Sequence, residues 1–134
     1  MKISSKGRYA VRTMATLAKN SPKLMSVSDI ASNQSFSVKY LERVIGLLQK
    51  SGLIVSSRGA MGGYTLSKSA NDISIAEILD VTGDLPHFAP CLEGDMCCPI
   101  KTKCDSIGVW EKLNHMIVEY LCKISLQDLV DKKV

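Results

Sequence analysis

Leu53-Ile54-Val55-Ser56-Ser57-Arg58-Gly59-Ala60-Met61-Gly62-Gly63-Tyr64-Thr65-Leu66 is the stretch on which the reading of this chain turns. Its two ends carry β-branched and aromatic residues and its middle carries three glycines. That pattern predicts strands over 53–57 and 64–66 joined by a glycine-rich tip. Arg58 puts a cation at the tip.

Upstream, three helices are expected. The first is capped by Ser4 or Ser5, with Tyr9, Val11, Met14, Ala15, Leu17 and Ala18 at helical spacing, and is ended by Asn20-Ser21-Pro22. A short second helix begins at Ser26 or Ser28 and stops near Asn33, and a turn follows around Gln34 to Phe36. Ser37 opens the third, in which Val38, Leu41, Val44, Ile45 and Leu48 form one apolar face while Lys39, Glu42, Arg43 and Gln49 point elsewhere. Gly52 suits the stop. Three such helices alone also fit a plain helical bundle. Followed by a hairpin with a basic tip, they take the order of a winged helix-turn-helix, in which the third helix enters the major groove of DNA and the hairpin touches the flanking backbone or minor groove.

Charge supports that reading. Residues 1–70 hold eleven Lys and Arg against Asp29 and Glu42, a net +9, while the remainder holds six Lys against eleven acids, a net −5. A positive half suits a phosphate backbone, because each neutralised phosphate releases counterions. The start MKISSKGRYA has no apolar signal-peptide core, and nowhere do about 18 apolar residues run together, so a cytoplasmic protein away from membranes is expected.

Downstream, Ser74 to Val81 reads as a short amphipathic helix ended by Gly83. Pro86, Pro90 and Pro99 make 85–104 a loop, and four of the five cysteines lie on it: Cys91, Cys97, Cys98 and Cys104. In a cytosolic chain such thiols point to metal or redox chemistry rather than disulfides. Soft sulfur at this density suits an iron-sulfur cluster, zinc or copper(I); zinc sites commonly use two C-x2-4-C pairs, a grouping absent here, so the spacing favours a cluster. Ile107, Trp110, Leu113, Ile117, Leu121 and Ile124 then recur at three and four residues along a long helix. Their stripe is too long for a small core to cover, which predicts pairing with the same helix of a second subunit through Trp110, Leu113, Ile117 and Leu121. Cys122 is expected to serve packing, and His87 and His115 to be exposed. A last short helix starts at Ser125, and 131–134 should fray.

Taken together, Ser4-Ser5-Lys6-Gly7-Arg8-Tyr9-Ala10-Val11, Ser37-Val38-Lys39-Tyr40-Leu41-Glu42, the wing from Ser57 to Tyr64 and the cysteine loop resemble the IscR, NsrR and CymR superfamily of bacterial regulators over nearly the whole chain. The resemblance implies a homodimer with crossing C-terminal helices that binds double-stranded DNA at a roughly palindromic operator. It places Arg58, with Gly59 beside it, at the wing position that enters the minor groove, where a guanidinium suits a narrow A/T-rich groove. It places Ser37, Lys39, Tyr40, Glu42 and Arg43 on the reading helix. At the Glu42 position relatives separate classes of operator, and a carboxylate there can accept from a cytosine amino group.

Cluster-binding relatives use three loop cysteines with five residues between the second and third. Cys98 and Cys104 fit that interval, with Cys91 as the first ligand. Two departures stand out: Ile107 replaces the histidine of IscR proper, and Arg8 replaces an N-terminal aspartate of NsrR-like proteins. Cys97 either completes an all-cysteine site or is the ligand with Cys98 spare.

The expected protein is mainly α with a small β-hairpin: a winged helix-turn-helix over 1–84, a cysteine loop over 85–104, and a dimerisation helix and tail over 105–134. Its expected role is a transcription regulator, such as a repressor, that senses through a 2Fe-2S or 4Fe-4S cluster, with neither enzymatic activity nor a small-molecule substrate. Two alternatives remain: a cluster-free CymR-like regulator governed by a partner protein, and a redox or electron-transfer protein, which the +9 half and the missing substrate motif disfavour.

Overall fold

A computed structural model describes residues 2–92 and 98–134. Six α-helices and one two-stranded antiparallel sheet are found among them, mainly α with a small hairpin as expected. The helices are α1 (Ser5–Asn20), α2 (Val27–Gln34), α3 (Val38–Lys50), α4 (Ile75–Val81), α5 (Ile107–Lys123) and α6 (Leu126–Val130). The strands are β1 (Ile54–Ser57) and β2 (Gly63–Leu66).

Side chains decide where the helices begin. Ser4 caps α1 by accepting from the Gly7 N–H, and Ser37 caps α3. At α2, α4 and α6 the serine is reciprocated by an acid three residues on: Ser26 with Asp29, Ser74 with Glu77 and Ser125 with Asp128. Each carboxylate accepts the cap residue's own N–H, which holds all three below the ordinary carboxylate range.

The core is centred on α1, whose Ala10, Met14 and Leu17 are fully buried against Leu41, Val44 and Leu48 of α3 and Ile78 of α4. Each large side chain removed from water contributes about 1.5–3 kcal/mol. The hairpin pairs Ile54 with Leu66 and Ser57 with Gly63. It is fastened to the segment before α2 by Met25 N–H to Tyr64 O (3.0 Å) and Tyr64 N–H to Met25 O (2.8 Å). Gly63 permits that approach, since a Cβ there would stand 2.6 Å from the Met25 backbone.

Asp84, just past α4, ties the start of α1 to the end of α4. Its Oδ1 accepts the Ser4 N–H (2.9 Å), and its Oδ2 accepts the hydroxyls of Ser4 (2.7 Å) and Thr82 (2.6 Å). Gly7 leaves room for it, because a Cβ there would run into Oδ2. Partial burial works to raise the Asp84 pKa. The hydrogen bonds from Thr82 and Ser4 and the charge of Lys6 outweigh burial and hold the carboxyl below its ordinary 3.8. The lowered value means that the folded state holds the proton less tightly than the unfolded chain. The linked stability is therefore full above about pH 4–5 and is lost as the pH falls through the depressed value. Asp84→Ala should cost about 2–4 kcal/mol at pH 7 by orphaning three donors, and the difference from wild type should shrink toward pH 3. Urea midpoints at the two pH values check this, and a pH-independent difference would contradict it.

Two expectations change at the C-terminal end. Leu121 and Ile124 pack against the chain's own core rather than extending the free stripe, and Leu126 is fully buried in it. The segment pairs back on the stretch before α4, with Leu126 N–H to Ile73 O (2.7 Å) and Ile75 N–H to Ile124 O (3.0 Å). The tail is also held, since Asp131, Lys132 and Lys133 all donate backbone N–H groups to α6 carbonyls. The 85–104 loop contains 3-10 turns at Pro90–Leu92 and Lys101–Lys103.

Candidate nucleic-acid interface and cysteine loop

Aromatic packing sets the start of α3. Tyr9 of α1 stacks on Phe36 with ring centroids 3.8 Å apart, and meets Tyr40 edge-on at 4.9 Å. The Arg12 guanidinium lies over the Phe36 ring at 4.5 Å and donates to Gln34 Oε1 (2.9 Å) and Gln34 O (3.1 Å). Gln34 in turn donates to Thr16 Oγ1 at 2.8 Å. The turn between α2 and α3 is thereby braced from α1, and one cation of the basic half is spent on architecture. Sequence reasoning took Tyr9 as a helix-face residue and gave Arg12 no role. An arginine three residues after an aromatic on a helix facing a Gln-x-Phe turn is the signal that was available.

On this support the outer face of α3 presents Lys39, Glu42 and Arg43 to solvent. Ser37, Lys39, Tyr40 and Arg43 border one shallow recess of about 150 Å³. Tyr40 is half-buried by its contact with Tyr9, which leaves its outer edge available. Arg58 and Gly59 are exposed at the hairpin tip, where Gly59 adopts φ +121° and its carbonyl accepts the Gly62 N–H at 2.9 Å. Among the described residues Lys39, Arg43 and Arg58 form no ion pair, so their charge is available to an anion.

Of the cysteines, Cys91 lies in the first 3-10 turn, Cys98 precedes the second and Cys104 closes it, just ahead of α5. All three are half-buried free thiols. Cys97 lies outside the described residues. Cys104 Sγ sits 3.3 Å from Ser106 Oγ, and hydrogen bonds from the Ser106 hydroxyl and backbone, with a further one from Ile107, hold its pKa below the usual thiol value. A thiol biased toward thiolate is a better metal ligand. As a donor set three soft sulfurs fit an iron-sulfur cluster, although among the described residues no three Cys, His, Asp or Glu side chains converge as a metal site. Arg8, at the place of the NsrR-like aspartate, is exposed and donates to Ser5 Oγ at 3.1 Å. His87 and His115 are exposed, and so is Cys122, which does not serve packing within the chain.

The family model described as Rrf2, iron-dependent transcriptional regulator, matches residues 3–132. The HTH-type transcriptional regulator IscR of Pectobacterium carotovorum is 35% identical over 99% of this chain and 81% of its own length. The solved structure of T. potens IscR superposes with a TM-score of 0.75 at 36% identity, covering 100% of this chain and 89% of that one. The structure of CymR, the global cysteine regulator of B. subtilis, gives 0.79 at 32% identity with 98% of each chain covered. Among the described residues no helix is long and apolar enough to cross a membrane. The chain belongs to the Rrf2 family of DNA-binding transcriptional regulators and is not an enzyme.

Proposed function

We propose that the protein is a homodimeric cytoplasmic regulator that reads a palindromic operator with α3 and Arg58 and senses through an iron-sulfur cluster held by Cys91, Cys98 and Cys104. The observation that carries this reading is α5. None of its 17 residues is buried, and it exposes Val109, Trp110, Leu113, Met116 and Tyr120 directly after the cysteine loop. An apolar helix face of this extent needs a covering partner. A second copy would cover it and set two α3 helices at the one-turn spacing of a palindrome. Any change in the loop at Cys104 then reaches the dimer helix three residues later. A bound cluster would supply a redox- or ligand-sensitive state at that junction, and the chain's own part is to furnish the thiolates and to carry the change into α5.

The deciding experiment is anaerobic purification followed by iron and sulfide counts, with operator titrations before and after chelation. Stoichiometric iron and sulfide with a change in operator affinity on removal is expected. A second reading, a cluster-free regulator of CymR type, is favoured by the lack of convergence among the described cysteines and by the CymR likeness. It predicts iron-free protein with unaltered affinity.

The dimer has its own test. Leu113 is 36% exposed in the single chain, so Leu113→Asp should leave the chain folded. In a covered seam the same carboxylate is buried without a partner at a cost of several kcal/mol. Sedimentation should show a monomer of normal helix content, with operator affinity down about 100-fold or more as the second half-site is lost. An undisturbed dimer would refute this placement.

For the wing, Arg58→Ala should weaken operator binding by about 1–3 kcal/mol at fixed salt while dimer and iron content stay unchanged. Unaltered affinity would remove Arg58 from the interface.

A further inference from the structure

The two flanks of α3 are not alike. On one, Gln49 Nε2 donates to Ser56 Oγ of β1 at 3.0 Å, so the hairpin lies on that side. On the other runs an open groove of about 690 Å³ between α3 and the start of α1. Tyr40, Arg43, Leu47 and Lys50, spaced three, four and three residues apart, form its α3 wall, and Lys6 stands on the α1 wall. Its lining combines apolar Val44 and Leu47 with three cations. None of the three forms an ion pair among the described residues. The Lys6 charge is felt by Asp84, but the Asp84 oxygens are turned onto Ser4 and Thr82.

A helix lying in a major groove has a sugar-phosphate strand on each side, and contacts to those strands fix its register without reading bases. The hairpin attends to one side of α3. We propose that the groove between α1 and α3 is a second backbone clamp, in which Lys6, Arg43 and Lys50 neutralise phosphates of the strand on the side away from the hairpin. Apolar stretches between cations match the alternation of deoxyribose and phosphate along such a strand. The clamp rests on the reading of α3 as the helix that enters the groove, and it adds Lys6 and Lys50 to the interface. It also gives Asp84 a further part, since its grip on Ser4 sets where Lys6 stands.

The test compares the full-length wild type with Lys6→Ala, Lys50→Ala and the double variant. The probes are a duplex selected by the wild type from a randomised library and an unrelated duplex of equal length, each titrated over a salt series. Each single substitution removes one cation from each protomer of the dimer and should lower the steepness of log affinity against log salt by about 1.8, and the double variant by about twice that. Both duplexes should lose affinity by the same factor, leaving their ratio unchanged. Lys50 is exposed on α3, so its variant stands even if Lys6→Ala disturbs the Asp84 contacts, and thermal unfolding reports such a disturbance. An unchanged slope in the double variant, or a loss confined to the selected duplex, overturns the clamp while leaving DNA binding by α3 in place. A wild type that binds neither duplex overturns both.

Discussion

Leu126→Ala is expected to destabilise the protein by about 2–5 kcal/mol, enough to remove much of the roughly 5–15 kcal/mol that holds a domain of this size together. Leu126 has no exposed surface and belongs to the same cluster as Met14 and Leu17 of α1, although more than a hundred residues separate them in the chain. Its own N–H donates to Ile73 O at 2.7 Å, so the truncation also loosens the pairing that brings the C-terminal segment back to α4. The core that holds α1, α3 and α4 is thus completed by residues beyond α5. Cutting the chain after α5 should unfold the DNA-reading part rather than free it. A urea titration monitored by far-UV circular dichroism checks this, with Leu129→Ala, half-buried on the same helix, as the milder comparison. A midpoint equal to wild type in Leu126→Ala would show that α6 does not contribute to the core.

The return of α6 marks where the sequence stopped being informative. Helix starts were legible because serine caps act within four residues, and the hairpin was legible because alternation and glycine are local signals. Even there one local signal went unread: Ser26 with Asp29, Ser74 with Glu77 and Ser125 with Asp128 are reciprocal caps three residues apart, and they fix three helix starts. The pairing of 73–75 with 124–126 has no such signature. Periodicity marked Leu121 and Ile124 as apolar but could not name the surface that covers them, and they went to the chain's own core while Trp110 and Leu113 stayed exposed. The last residues of a chain fray unless tied down, yet backbone donors at Asp131, Lys132 and Lys133 close this tail. Among the candidate residues, Lys39 and Arg43 are exposed on α3 and Arg58 is exposed at the hairpin tip. Arg12 escaped notice because its role depends on a turn twenty-two residues away.

The largest expected effect falls on the cysteine loop: Cys91→Ala, Cys98→Ala and Cys104→Ala should each abolish stable iron binding. The reasoning begins at Cys104. It closes a 3-10 turn three residues before α5, and its carbonyl accepts the Ile107 N–H at 3.4 Å, so its place is set by the helix. Counting back five intervening residues reaches Cys98, whereas counting forward from Cys91 by the same interval reaches Cys97. The interval that ends at the start of α5 is weighted over the one counted from Cys91, whose sequence carries a glycine, and this favours Cys98. On that assignment Cys97→Ala leaves the iron content unchanged, or lowered but present if Cys97 is the fourth ligand. Iron and sulfide counts with visible absorption on anaerobically purified single variants make the comparison, and they read the site independently of DNA binding. Complete loss in Cys97→Ala with retention in Cys98→Ala would move the second ligand to Cys97. Iron-free protein in the wild type as well as in all four variants would set the cluster aside and leave the loop to a partner protein.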